Sequence, residues 1–333
     1  MSLRTAKLGT TDLEITRVGL GNWAIGGPRG EWGWGAQADH SSLRTIQVAV
    51  DAGINWVDTA AAYGLGHAEE VLGAALRAMP AADRPLIFTK CGLVWNGTTT
   101  LRVGRSDSLR EELVGSLRRL DVEVIDLYQL HWPPQDGTDI VEAWAALVDM
   151  RTQGLIRFAG VSNVDAEQLA RLEAVGHVDT VQPPLSLLQR GAIEHLIPSC
   201  ASTGTGVLVY SPMQSGLLTG KYDHQSLTAL APDDWRRRDA QFRDPALSQT
   251  LALLAGLREV AADCGLGLAE LAVAWTLAQP GVTAAIVGAR VPEQLGDWIK
   301  AGEVTVDAAT AQRIRQLLVE TGAGTGPVEG SGE

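Results

Sequence analysis

From residue 18 to about residue 300, short β-rich runs alternate with amphipathic helical stretches. No other feature constrains the fold as strongly, because repeated strand–helix units bury their apolar faces by building a parallel sheet coated with helices. Eight runs are readable, at 18–21, 55–59, 86–90, 125–131, 158–162, 180–182, 207–210 and 284–287. Several are apolar throughout, as strands covered on both faces are. A doubly wound sheet alternates in the same way, but its glycine-rich turn after the first strand is missing. Gly19, Gly21, Gly26 and Gly27 do not make the G-x-G-x-x-G spacing. The expected fold is therefore α/β, a (β/α)8 TIM barrel.

The helical stretches carry their own marks. In 106–120, Leu109, Leu113, Leu117 and Leu120 recur at spacings of four, four and three, giving one apolar face. Asp139 before 140–150 and Asp165 before 166–172 read as N-caps, and Gly53 and Gly154 follow helices as terminating residues do. The stretch 7–16, with Gly9-Thr10-Thr11-Asp12 in its middle, reads as a β-hairpin ahead of the barrel. Between the seventh and eighth strands, 211–245 breaks the rhythm with Gly, Asp and Arg and is expected to lie over the site. No linker divides the chain. One barrel domain over 1–320 and a loose, glycine-rich tail over 321–333 are expected.

Bulk properties narrow the partners. The 27 Lys and Arg against 39 Asp and Glu leave a net charge of −12, which argues against nucleic acid and anionic membranes. Cys91, Cys200 and Cys264 are odd in number, widely spaced and without zinc spacing, so no metal is expected and a reducing cytoplasm fits. No basic and apolar leader precedes Leu3, and the longest apolar stretch, 266–278, carries Glu270 and is too short to span a bilayer. A monomer and a homo-oligomer are both compatible with the sequence.

Polar residues at the strand ends carry the chemistry. Asp58 ends the second strand, Lys90 the third, His131 the fourth, and Ser162 with Asn163 the fifth, so all face the C-terminal mouth of a barrel. Tyr63 follows on the loop after Asp58. Taken singly, each has an ordinary reading: a cap, a packed histidine, a loop anchor. Lys90 is different, because the apolar run Leu86-Ile87-Phe88 carries its ammonium to the edge of the core, where it needs a partner such as Asp58. A tyrosine ordinarily titrates near about 10, and a neighbouring ammonium favours its phenolate. Lys90 is therefore expected to lower the Tyr63 value, with Asp58 holding Lys90 and His131 orienting a carbonyl. The reaction that suits such a group is hydride delivery to a carbonyl carbon and proton delivery to its oxygen, the hydride coming from a cofactor.

Asp58-Thr59-Ala60-Ala61-Ala62-Tyr63-Gly64 with Glu69, then Thr89-Lys90, then Asp126-Leu127-Tyr128-Gln129-Leu130-His131, then Gly160-Val161-Ser162-Asn163 together resemble the aldo-keto reductase superfamily. The likeness runs from Lys7 to about Ala301, and the segments 90–95 and 233–242 are similar to its bacterial general branch. The resemblance implies a (β/α)8 barrel with an N-terminal hairpin and extra C-terminal helices. It also implies a tetrad of Asp58, Tyr63, Lys90 and His131, with Tyr63 as general acid in reduction. For the cofactor, NADPH/NADP+, it implies that Ser162, Asn163 and Gln182 hold the nicotinamide carboxamide, and that Tyr210 stacks on the ring with Trp23 nearby. The stretch Ser211-Pro212-Met213-Gln214-Ser215-Gly216-Leu217-Leu218-Thr219-Gly220-Lys221 then covers the pyrophosphate, and Gly288, Arg290, Gln294 and Asp297 bind the adenosine phosphate end. Arg290 suits a 2′-phosphate, since guanidinium binds phosphate in bidentate fashion. Trp298 stands where relatives commonly have an Asn.

The partner expected is a small-molecule carbonyl substrate. Ten tryptophans are many, and Trp23, Trp32, Trp34, Trp95 and Trp132 fall in or near mouth loops, where they form an apolar wall or platforms for sugar rings. Arg29, Arg102, Arg105 and 236–238 lie in loops as well. Two other functions compete: a nicotinamide-binding regulatory subunit resembling potassium channel β subunits, and a hydrolase using Asp58, Glu69 and Glu70.

Overall fold

A computed structural model describes residues 3–31, 33–230 and 234–328. Trp32, Asp233 and the tail positions 329–333 lie outside the described residues. The strands are β1 (Thr5–Lys7), β2 (Glu14–Thr16), β3 (Val18–Gly21), β4 (Trp56–Asp58), β5 (Leu86–Cys91), β6 (Leu93–Trp95), β7 (Thr100–Arg102), β8 (Ile125–Leu130), β9 (Ile156–Ser162), β10 (Thr180–Gln182), β11 (Gly206–Tyr210) and β12 (Ala284–Gly288). Strands β3, β4, β5, β8, β9, β10, β11 and β12 pair in parallel in that order, and β12 pairs back onto β3 to close a barrel. Each of the eight runs expected from the sequence is one of these strands.

Ten helices are described: α1 (Asp39–Asp51), α2 (His67–Ala78), α3 (Ser106–Leu120), α4 (Ile140–Thr152), α5 (Ala166–Glu173), α6 (Leu196–Thr203), α7 (His224–Thr228), α8 (Ala246–Asp263), α9 (Leu268–Leu277) and α10 (Ala308–Thr321). In α3, Leu109, Leu113 and Leu120 are buried against the barrel and Leu117 partly so. The Asp139 carboxylate accepts from the Val141 N–H, and Asp165 makes a reciprocal capping box with Gln168. Among the described residues no single helix is long and apolar enough to cross a membrane; α8 and α9 together reach such a length but meet at 87°.

Strand periodicity sorts the core into two layers. Trp56, Phe88, Leu127, Leu208, Ala284 and Ile286 point inward and cluster with Leu8, Leu13 and Ile15 of the β1–β2 hairpin. The hairpin, expected from the turn at Gly9, thus closes the bottom of the barrel. The alternate residues, among them Val57, Ile87, Cys91, Tyr128, Leu130, Val161 and Val209, pack outward against the helices. Gly19 is required inside, because a Cβ there would come within 2.2 Å of the Trp56 ring. Two residues above the apolar inward layer, the same strands present Asp58, Lys90 and Tyr210. The side-chain period of two converts an apolar floor into a polar mouth.

Two features depart from expectation. A second hairpin, β6–β7, rises directly from the end of β5, with Leu93 opposite Arg102 and Trp95 opposite Thr100. The loose tail is a correction up to Val328: Ala323 is buried, and the Thr325 N–H donates to the Leu188 carbonyl while its own carbonyl accepts from the Arg190 N–H. The buried Arg190 guanidinium donates to the carbonyls of Leu187, Ala323 at 3.2 Å, Gly326 at 3.2 Å and Pro327 at 3.0 Å. Composition registers the missing apolar pattern, but backbone carbonyls alone satisfy a guanidinium. Replacing Arg190→Ala strands those acceptors, and we expect a loss of about 2 kcal/mol in urea unfolding with faster proteolysis of the tail. An unchanged midpoint and an equally resistant tail would refute this role.

Candidate active site

The strand ends ring a cavity of about 690 Å³ lined by Asp58, Tyr63, His131, Ser162, Asn163, Gln182, Tyr210 and, farther out, Gly288, Arg290, Gln294 and Asp297. Its floor is set by one buried cation. Lys90 has no exposed surface, and its three N–H donors are matched to three oxygens: Asp58 Oδ1 at 2.6 Å, the Thr59 carbonyl at 2.9 Å and the Tyr63 hydroxyl at 3.3 Å. The other Asp58 oxygen accepts from Gln182 Nε2 at 2.9 Å. Burial pushes the Asp58 carboxyl up and the Lys90 ammonium down, and each is opposed by the other's charge. The four tetrad positions expected from the sequence, Asp58, Tyr63, Lys90 and His131, are therefore brought together.

Tyr63 is held by close backbone packing. Gly64, at φ +60, sits so near the turn Trp23–Gly26 that a Cβ would meet the Gly26 oxygen at 2.0 Å. The ring lies 5.6 Å from that of His131 and 6.4 Å from that of Trp23, centroid to centroid. Burial pushes the phenol well above its ordinary range, and the Asp58 charge adds to the rise. This corrects the expectation that Lys90 lowers it. The ammonium is already neutralised by Asp58, so the pair offers the phenolate little net charge while burial disfavours it. The phenol is held protonated, and its oxygen accepts from Lys90, which leaves its own proton free for the cavity.

His131 follows β8 directly, with its N–H on the Cys91 carbonyl at 2.9 Å. Burial pushes its imidazole well down, and the Lys90 and Arg102 cations add to this. The ring is neutral, with one protonated nitrogen, and Nδ1 has no partner among the described residues. Asn163 Nδ2 donates to the His131 carbonyl at 2.9 Å and to Ser162 Oγ at 3.1 Å, while its oxygen accepts from the Tyr210 hydroxyl at 2.7 Å. Tyr210 is thus anchored by its hydroxyl beside the carboxamides.

The cavity fits a dinucleotide. Its inner end offers Ser162, Asn163, Gln182 and the Tyr210 ring; its outer wall carries Lys221, Arg290 and the indole of Trp298, whose buried N–H has no acceptor among the described residues. Lys221 pairs with Asp297 at 3.0 Å, and Arg290 donates to Gln37 Oε1 at 3.0 Å and to the Ala36 carbonyl at 2.5 Å, while its own N–H donates to Gln294. Trp23, Ser211, Pro212 and Gly216 also line the wall. Two expected cofactor residues do not reach it. Leu217 is buried in the core, and the Gln214 oxygen is turned inward to accept from Ser186 Oγ at 2.7 Å. The 3-10 turn Gln214–Thr219 points these side chains at the barrel and its glycine at the cavity.

Aromatic residues far apart in sequence meet at the mouth. The Trp235 ring stacks on Trp23 at 5.7 Å, with Trp34 edge-on to both. Trp34 and Trp23 were expected there; Trp235 and Tyr222 were missed, although the run Asp234-Trp235-Arg236 stands out within the covering loop. Trp95 does not line this cavity but a smaller neighbouring one. Glu69 is buried, paired with Arg119 and bonded by the Thr89 hydroxyl at 2.6 Å, while Glu70 is exposed beside His67. Neither faces Asp58 across the cavity, which leaves the hydrolase reading without its second carboxylate.

Comparison with known proteins follows the same line. The model of the aldo/keto reductase family matches residues 17–319. The chain is 35% identical to the aldo-keto reductase YhdN of Bacillus subtilis, covering 93% of this chain and 92% of that protein. It is 33% identical to an NADH-specific methylglyoxal reductase of Escherichia coli, covering 95% and 98%. Among solved structures, a glycerol dehydrogenase from Gluconobacter oxydans superposes with a TM-score of 0.86 at 35% identity, covering 99% and 98%.

Two tests bear on the electrostatics. Lys90→Met leaves the Asp58 carboxylate buried without its cation, and we expect a loss of about 3 kcal/mol in urea unfolding, partly recovered by adding Asp58→Asn. A strictly additive double variant would contradict the pairing. Behind the site, burial pushes the Glu112 carboxyl up to about 7, with the Glu69 charge adding and the Gly92 and Leu93 N–H groups and Arg119 opposing. Because it binds its proton more tightly folded than unfolded, stability falls as pH rises from about 4.5 to about 7. Glu112→Gln should flatten the unfolding free energy across that window, and an unaltered slope would refute the assignment.

Proposed function

The chain belongs to the aldo/keto reductase family, NAD(P)H-dependent oxidoreductases acting on carbonyl compounds, and on that premise we propose that it reduces an aldehyde or ketone with NADPH. The observation that carries this reading is the matched Lys90 ammonium, whose third N–H is spent on the Tyr63 oxygen. That bond directs the phenol proton into the cavity and stabilises the oxygen as the proton leaves. Tyr63 is the general acid, Lys90 and Asp58 are its support, and the neutral His131 donates to the substrate carbonyl and orients it. Reduced nicotinamide, when bound, supplies the hydride to the carbonyl carbon. Tyr63 gives its proton to the oxygen, and the phenolate regains one from solvent.

Ser162, Asn163 and Gln182 would hold the carboxamide, and Tyr210 with Trp23 nearby would receive the nicotinamide ring. The wall formed by Ser211, Pro212, Gly216 and Lys221 would hold the pyrophosphate, and Gly288, Arg290, Gln294 and Asp297 would hold the adenosine end. Arg290 supports NADPH, since its guanidinium at the cavity wall keeps N–H donors for a 2′-phosphate beyond the two given to Gln37 and Ala36. The name of the E. coli relative makes the opposite choice, so the two cofactors need direct comparison. A reducing, cytoplasmic setting suits three unpaired cysteines, two of them buried.

NADPH oxidation followed with a panel of aldehydes should fall at least about 100-fold in Tyr63→Phe. Retained activity would remove Tyr63 as the acid, and tight cofactor binding without turnover of any carbonyl would favour a regulatory subunit. Arg290→Ala should raise the KM for NADPH about tenfold and that for NADH less. Equal effects on both would contradict the 2′-phosphate role.

A further inference from the structure

We propose that Arg102 is the specificity residue of this site and selects carbonyl compounds that carry a carboxylate. The proposal rests on the carbonyl-reductase reading and names its substrate class. Arg102 ends β7, in the hairpin that rises from the Lys90 strand. Its backbone is pinned on both sides: it pairs with Leu93, its carbonyl accepts from the Gln135 N–H at 2.9 Å, and the next N–H, of Val103, donates to the Gly92 carbonyl at 3.0 Å. The side chain lines the cavity and is partly buried, with the guanidinium carbon 4.0 Å from the centroid of the Trp132 ring. Trp132 follows His131, so the cation stands beside the imidazole that faces the carbonyl.

The guanidinium has stacked but not paired. Among the described residues it makes no hydrogen bond and no ion pair, although the chain carries 39 carboxylate side chains. Two other arginines at the cavity are engaged: Arg236 with Asp234 and Tyr222, and Arg290 with Gln37 and Ala36. Glu31, an acidic residue lining the same cavity, accepts from Thr99 and Thr100 instead. Stacking on an indole uses the face of a guanidinium and leaves its N–H edge free, which is the edge that binds a carboxylate through two parallel bonds. Arg29, at the rim and likewise without an ion pair among the described residues, adds a field of the same sign. A substrate whose carbonyl oxygen lies between Tyr63 and His131, and whose carboxylate lies toward Trp132, satisfies both. The class is therefore aldehyde- and keto-carboxylates.

The test compares 3- and 4-carboxybenzaldehyde with the corresponding neutral formylbenzamides, using the full chain and NADPH or NADH. We expect kcat/KM in the wild type to favour the better acid over its amide by about 10–100-fold. That ratio should collapse toward one in Arg102→Met and return in part in Arg102→Lys, which keeps the charge but loses the fork. A wild-type ratio near one, or the same ratio in Arg102→Met, overturns the proposal while the reductase reading stands. If no aldehyde is reduced at all, the reductase reading fails, and calorimetric binding of 4-carboxybenzaldehyde decides the Arg102 assignment. At least tenfold weaker binding in Arg102→Met supports the carboxylate site, and equal binding refutes it.

Discussion

A lysine ammonium with no exposed surface is the constraint on which this molecule is organised. Removing such a group from water is costly unless its charge is countered and its donors are used, and Lys90 meets that demand with Asp58, the Thr59 carbonyl and the Tyr63 oxygen. Two of these partners are the last residue of β4 and the residue after it, and the third lies on the loop beyond. Satisfying one buried cation therefore fixes the strand end, the loop and the phenol in a single arrangement. The packing of Gly64 against Gly26 holds that loop from the other side.

The barrel makes this arrangement possible by its period of two. Inward positions at the bottom are apolar and buried, and the next inward positions on the same strands are polar, so the charged group stands on a closed floor of Trp56, Phe88 and Leu127. That floor has electrostatic consequences. Burial favours the protonated phenol of Tyr63 and the neutral imidazole of His131, so one residue keeps a proton and the other an uncharged ring with one N–H. The chain is strongly acidic overall, yet Arg102, Lys221, Arg236 and Arg290 gather at this cavity. Local placement, rather than net charge, decides which ligands it can hold.

Much of this was legible in the residues. The eight strands, the bottom hairpin, the caps at Asp139 and Asp165 and the meeting of Asp58, Tyr63, Lys90 and His131 follow from periodicity, strand-end polarity and a family resemblance. What the sequence hid depends on contacts between distant segments. Burial raises Tyr63 most, and the Asp58 charge beside Lys90 adds to the rise. Trp235 reaches Trp23 across more than half the chain, and no local pattern announces that contact. Leu217 and Gln214 turn inward because a 3-10 turn rotates them. The β6–β7 hairpin had a signal in Asn96-Gly97 between two extended runs, a pairing typical of tight hairpin turns, and that signal leads to Arg102.

The measurement that bears most directly on the whole account is the fate of isotope in one turnover. The protein in excess is mixed with a reducible aldehyde and NADPH deuterated at both C4 positions of the nicotinamide, and the alcohol is analysed by proton magnetic resonance and mass spectrometry. A cavity that places the carbonyl against Tyr63 and the nicotinamide side by side predicts an alcohol bearing one deuterium on its carbinol carbon. An alcohol without deuterium there, or cofactor bound in that cavity with no alcohol formed from any carbonyl, would contradict it.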